Sequence, residues 1–371
     1  MRYLLRFLVA FVMLVLGVAV YLSWMSRRSC TDQTSLINSD SRAVIEQTQE
    51  PDNLYPVHQN WRYGYVDSNG KIIIQPQFDY ADDFSEGLAA VKLEGKIGYT
   101  DRTGRMAIPP QFEDVGFLNK EFHNGRVQVF SKSLQIGGYY LLPHKVGFMD
   151  KFGKPVIEPQ YDAALNYAEG FAGVACGTKW GFIDTAGNMV IKPEYDEVES
   201  FSEGMAAVRK GDKWGFINYS GQLSIPYQFD LVREFSEGLA AVEVAGQWGY
   251  IDQTGKLVIE YQYEFAHPFS EGLAAVQLNE KYGYINRSGS LVISPQYQSP
   301  GEFTEGLAGV QASNFEWGVI DTTGTFVISP QFGIVLPFSN GIASVEARRE
   351  GRGSASGYIN KQGKIIWIDQ Y

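Results

Sequence analysis

KWGFIDTAGNMVIKPEYDEVESFSEGMAAV occupies residues 179–208. KWGFINYSGQLSIPYQFDLVREFSEGLAAV follows at 213–242, and QWGYIDQTGKLVIEYQYEFAHPFSEGLAAV at 247–276. Near-copies at a fixed interval are the mark of a repeat architecture, and here the interval is 34 residues. Working outward, the dipeptide whose second member is Gly starts at Tyr63, Ile97, Val146, Trp180, Trp214, Trp248, Tyr282, Trp317 and Ser356. Val57 in NLYPVHQNWRYGYVD aligns with Val91 in GLAAVKLEGKIGYTD, so the first copy begins at Asn53. Nine whole units then fill residues 53–371. The one long interval, before Val146, holds two insertions: a short one ahead of Phe122 and a longer one around SKSLQIGGYYLLPHK, Ser131–Lys145.

Each unit reads as three short strands. In the sixth they are Leu239–Val244, Trp248–Asp252 and Lys256–Ile259. The links between them are tight: Gly246 in one, Asp252-Gln253-Thr254-Gly255 in the other. An Asp that opens a turn closing on Gly accepts backbone N–H groups while Gly takes positive φ. Links this short make antiparallel hairpins. Period two puts Trp248 and Tyr250 on one face and Gly249 and Ile251 on the other. A sheet apolar on both faces needs cover on both, which neighbouring units supply. Gly beside Trp is expected to leave room for a ring of the next unit. The expected fold is all-β: nine three-stranded antiparallel meanders stacked as an open superhelical array, with a closed propeller-like ring as the alternative. The open form is preferred because nine units with no split one exceed the usual 4–8 blades.

These motifs (K-W-G-[FY]-I-D, T-G-K, P-x-[FY]-D, F-S-E-G-L-A-A-V) resemble the WG repeat family, also called KWG repeats, over residues 53–371. The resemblance implies a bacterial-type β-repeat protein, usually without an assigned activity. The end units depart from the pattern, with DNLYPV at the start and Ser356 in place of Trp near the end, as capping repeats do.

Residues 1–52 are of another kind. From Phe7 to Met25 no charge interrupts an apolar run, long enough as a helix to cross a hydrocarbon core. Arg2 and Arg6 precede it, and Arg27 and Arg28 follow. Residues 1–26 are expected to be a transmembrane signal-anchor and 27–52 a flexible linker, leaving the 53–371 WG repeat domain outside the cytoplasm; secretion after signal cleavage is the alternative. Basic residues on both flanks leave the orientation open. The 31 Lys and Arg against 42 Asp and Glu give a charge of −11, which argues against a nucleic-acid partner. Two cysteines cannot make a disulfide framework or a zinc cluster, and Cys176 reads as a small, partly buried thiol.

Chemistry-bearing motifs are scarce. His58, His123, His144 and His267 share no metal-ligand spacing. Gly353-Ser354-Ala355-Ser356-Gly357 has Ala where a nucleophile elbow needs Ser. The recurring Asp or Asn at the turn reads as a cap rather than a metal ladder, and the Glu of S-E-G as a column of edge residues. No catalytic, cofactor-binding or metal residue is assigned, and no enzyme or cofactor is expected. The insertion is the one feature that repeat folding leaves unexplained. Its Tyr139, Tyr140, Leu141 and Leu142 are the candidate partner-binding residues. The expected function is a membrane-anchored extracytoplasmic scaffold that binds a protein or envelope component. A glycan or cell-wall binding module, which would need exposed aromatics, is the alternative, and a hydrolase a more distant one.

Overall fold

A computed structural model describes residues 54–113, 120–131, 135–136, 139–140, 145–312, 315–349 and 353–369. The anchor and linker expected over 1–52 lie outside them. Among the described residues no helix is long and apolar enough to cross a membrane.

The strands follow from the repeat, with one addition. In the sixth unit Leu231–Ser236, Leu239–Val244, Gln247–Asp252 and Leu257–Tyr263 pair antiparallel in chain order. The expected three strands are there, and a fourth precedes them. It arises because the chain does not cross over after P-x-[FY]-D. The last strand of one unit bends at the acid and runs on as the first strand of the next. Asp230 marks such a bend, with its N–H on Glu243 O in the following sheet. At Gly333, where six siblings carry an acid and one carries Gln298, the strand Phe326–Val335 continues unbroken. The eighth and ninth repeats therefore merge into one six-stranded sheet. The S-E-G link is a two-residue hairpin turn, with Glu237 at φ 53° and Gly238 at φ 78°.

Packing places the sheets face to face. Ala241, Tyr250 and Ile259 of the sixth unit bury themselves against Ala274, Val276 and Ile285 of the seventh. On the opposite face Ala240, Val242 and Ile251 meet Phe216 and Ile225 of the fifth. Trp248 lies with Tyr250, as period two requires. Gly249 serves a purpose other than the expected one: a Cβ there would sit 2.6 Å from Ile259 O. The last strand's backbone, at an irregularity in the pairing, occupies the space that was expected to hold a neighbouring ring.

The open superhelical array is overturned. Eight multistranded sheets close into an eight-bladed β-propeller, the last blade holding two repeats. Tyr55, Val57 and Val66 of the first unit pack against Ile342 of the last, with Tyr358 and Trp367 alongside. Tyr358 donates its hydroxyl to Pro56 O at 3.0 Å, and His58 N–H donates to Asp369 Oδ1 at 2.9 Å. The turn glycine of each unit rests on an isoleucine of the unit before. The series runs through Gly255 on Ile225 and Gly289 on Ile259, and Gly70 on Ile366 completes it. Closure has a plain cause. Both faces of every sheet are apolar, so an open array would leave one face of each terminal sheet in water. The fused last blade lets nine repeats close as eight sheets.

Candidate functional site

The residues that recur are used up in building the ring. Asp252 Oδ1 accepts from Thr254 N at 2.9 Å, Thr254 Oγ1 at 2.6 Å and Lys256 N at 3.1 Å. Asn218 makes the same three bonds with Ser220 and Gln222. The equivalent residue caps its turn in all nine units, from Asp67 to Asn360. Among the described residues no group of three His, Cys, Asp or Glu is placed to hold a metal ion. The S-E-G glutamates join blades: Glu271 accepts from Glu305 N at 2.6 Å and Gly306 N at 2.7 Å, and Glu169 from Glu203 N and Gly204 N. The acid after the aromatic does likewise on the other rim. Asp230 accepts from Ala245 N at 2.9 Å and pairs with Lys213.

Asp230, Asp196, Asp252 and Glu305 sit below the usual carboxylate range because they are hydrogen-bonded as anions. Lys213 and the Ala245 N–H lower Asp230; Lys179 and the Gly211 N–H lower Asp196. The Thr254 hydroxyl lowers Asp252, and Lys361 lowers Glu305.

The residues singled out in the sequence fare unevenly. Trp214 and Trp248 are buried, 7% and 3% exposed, and Trp180 and Trp317 are half-buried, so the WG tryptophans form no row of fully exposed rings. Tyr139–Tyr140 pairs with Gln135–Ile136 as a small hairpin apart from the blades. Leu141 and Leu142 lie outside the described residues. Cys176 is not a free thiol: it is disulfide-bonded, which corrects the sequence reading. The chain's other cysteine, Cys30, is outside the described residues.

What does not recur is the segment just before the buried aromatic of each first strand. Two places ahead of that ring stand Asp82, Leu165, Glu199, Arg233, His267, Gly301 and Leu336. These segments form or precede the first strand of their repeats, and the reach of Asp83 past one blade to Tyr358 puts that edge towards the propeller axis. Asp83 of the second blade acts on Tyr358 of the last, across the whole first blade; burial and then Asp83 push that phenol up. Asp83 is solvent-exposed at its tip yet has protein close around it. Burial, then Glu121 and Asp82, raise its carboxyl. Glu199 is raised by burial and then by Glu234. Arg233 lies over Phe265 at 5.2 Å and Trp248 at 5.7 Å. His267 meets Phe265 edge-on, and burial followed by Arg233 lowers its imidazole, leaving it neutral at pH 7. None of these was singled out as a candidate site from the sequence, although the signal was present in the columns where the repeats fail to match.

At the eighth repeat the inner segment opens. Where siblings have Val198, Val232, Ala266 and Val335, this unit has Pro300, and the next residue is Gly301. Proline offers no N–H, and the first strand shrinks to a bridge between Ser299 and Gln311. Gly301 puts no side chain between His267 and Leu336. A cavity of about 290 Å³ results, floored by Leu273, Tyr284 and Phe303. Thr304, where siblings use Ser to bond the next blade's Phe carbonyl, has a buried hydroxyl that makes no hydrogen bond within the protein.

Fold and rims together define a β-propeller built from short tandem repeats. The pattern of the WG containing repeat matches eight times, at residues 63–96, 97–129, 147–180, 180–214, 214–248, 248–282, 282–314 and 317–347, and the chain belongs to that family. No curated protein matches. Among solved structures, the chain is similar to a eukaryotic initiation factor at 12% identity and TM-score 0.59, over 86% of this chain and 96% of that one. It is also similar to the computationally designed Ika8 protein (13% identity, TM-score 0.47, 77% and 93% covered). BamB from Moraxella catarrhalis is a third (12%, 0.44, 87% and 98%). At these identities the first likeness speaks to fold alone, and the other two carry no argument.

Proposed function

We propose that the chain is a membrane-anchored extracytoplasmic scaffold whose propeller binds a protein or envelope component through the inner edges of its blades. The observation that carries this reading is the division of labour between columns. Residues that recur hold turns and blades together. The inner residues Asp82, Glu199 and Arg233 recur nowhere in their column and reach solvent, as does Leu336, which shares its column with one other leucine, Leu165. Repeat proteins bind through such positions on a fixed frame. The apolar run Phe7–Met25 supports the anchor, and the disulfide at Cys176 supports an oxidising compartment.

The test compares pull-downs from native membranes. The wild type is set beside Glu199→Lys with Arg233→Glu, and beside a chain with Ser131–Lys145 cut to the sibling length. The double variant should lose the partner with its circular dichroism unchanged. Loss with the trimmed loop alone would move the site to Tyr139–Leu142. N-terminal sequencing of the membrane fraction checks the anchor: a mature chain that begins near Thr31 refutes it.

A further inference from the structure

We infer that the cleft over Gly301 takes a protein segment presenting one large apolar side chain flanked by lysine or arginine, a refinement that rests on the scaffold reading above. The floor is apolar and the missing side chain leaves room for another. About 290 Å³ is at the bottom of the ~300–1,000 Å³ span of ligand pockets, a size suited to a single anchor group rather than a whole cofactor. The apolar surface continues past the mouth. Ile334 and Leu336 are 38% and 46% exposed, and Pro337 stands beside them, so a chain entering the cleft has a track to lie along.

Charge decides what flanks the anchor. No Lys or Arg lines the cleft, Arg233 acting on His267 from outside the lining. His267 is neutral there, and Glu302 stands exposed at the mouth. The whole chain carries −11. A segment with acids beside its anchor would meet like charge, and one with bases meets complementary charge. The anchor and the charge together give a hot spot with a polar rim, the arrangement that protein segments use.

The test begins with the full-length protein in detergent, panned against random twelve-residue peptides displayed on phage. Enriched peptides should share Leu, Ile, Phe or Trp next to Lys or Arg. One of them, fluorescently labelled, is then titrated. Leu336→Asp should weaken it at least tenfold and Glu302→Lys at least fivefold, with both variants folded as the wild type, since both side chains are exposed. Undiminished binding to both variants overturns the inference. So does a consensus lacking either feature, or a selection that enriches nothing. A wild-type dimer that Leu336→Asp dissociates gives the cleft to a second copy and overturns it too. If these arms fail while the Glu199 and Arg233 variants still release the native partner, the cleft assignment falls and the scaffold reading stands. If the wild type retains no partner in either experiment, both fall.

Discussion

Two sets of carboxylates in this ring behave in opposite ways. Those in the rim turns, Asp196, Asp230, Asp252, Asp321 and Glu305, are held ionised by hydrogen bonds, and their pKa values lie below the ordinary range. Those on the inner segments, Asp83 and Glu199, are raised by burial and by neighbouring acids. A lowered carboxylate stabilises the fold at neutral pH, and a raised one opposes it. The rims therefore carry acids that the fold uses. The inner edge carries acids that the fold tolerates, which is where function is expected to sit.

The largest expected effect tests whether the recurring residues are structural at all. Trp248→Ala should cost about 3–5 kcal/mol, the range for removing a buried aromatic, because Trp248 is 3% exposed within the core between two blades. Arg233→Ser, on the exposed inner edge above the same ring, should stay within about 0.5 kcal/mol. Urea unfolding followed by tryptophan-independent circular dichroism measures both. Similar costs at the two positions would erase the distinction between frame and inner edge.

That distinction was half legible in the sequence. The period, the hairpins and the two faces of Trp248–Asp252 follow from residues a few places apart, where local spacing sets the structure. The turn caps were legible for the same reason: Asp252 bonds residues two and four places on. The Glu latches were visible only as a column, since each reaches one full repeat ahead, as Glu237 does to Gly272. Closure was not legible. It depends on Tyr358 meeting Pro56 and Gly70 meeting Ile366, contacts between the two least regular units. The fusion that turns nine repeats into eight sheets falls at Gly333, and no motif announces it: Gln298 also departs from the acid, yet its two repeats stay separate sheets. The cleft at Gly301 was missed because a search for motifs looks at what repeats, and this site is made by what does not.

A smaller effect, of opposite sign, probes the inner edge directly. Asp83→Asn should raise stability at pH 7, by on the order of 0.5 kcal/mol once solvent screening at this exposed group is allowed for. The folded pKa is raised, so the folded state binds the proton more tightly than the unfolded chain. The penalty is full above the folded pKa and fades as pH falls from there towards the ordinary value of about 3.9. The advantage of Asp83→Asn should fade over the same window. A variant less stable than the wild type at pH 7 would show that the fold uses Asp83 after all.

Asp252→Asn is the smallest change and completes the comparison. Asn already holds this place at Asn218, Asn286 and Asn360, where its oxygen accepts the same backbone bonds. The acceptor therefore survives the substitution, and only the favoured negative charge is lost. The folded pKa of Asp252 is lowered, so its contribution is present above the unfolded value near 3.9 and disappears as pH falls through the folded one. The variant should unfold marginally earlier than the wild type at pH 7, and the difference should shrink as pH falls through the folded pKa. Its difference curve should thus run opposite in sign to that of Asp83→Asn, with both closing in acid. If Asp252→Asn instead prevented folding or released a bound cation, the rim acids would be ligands rather than caps. The two classes of carboxylate would then have to be redrawn around a metal.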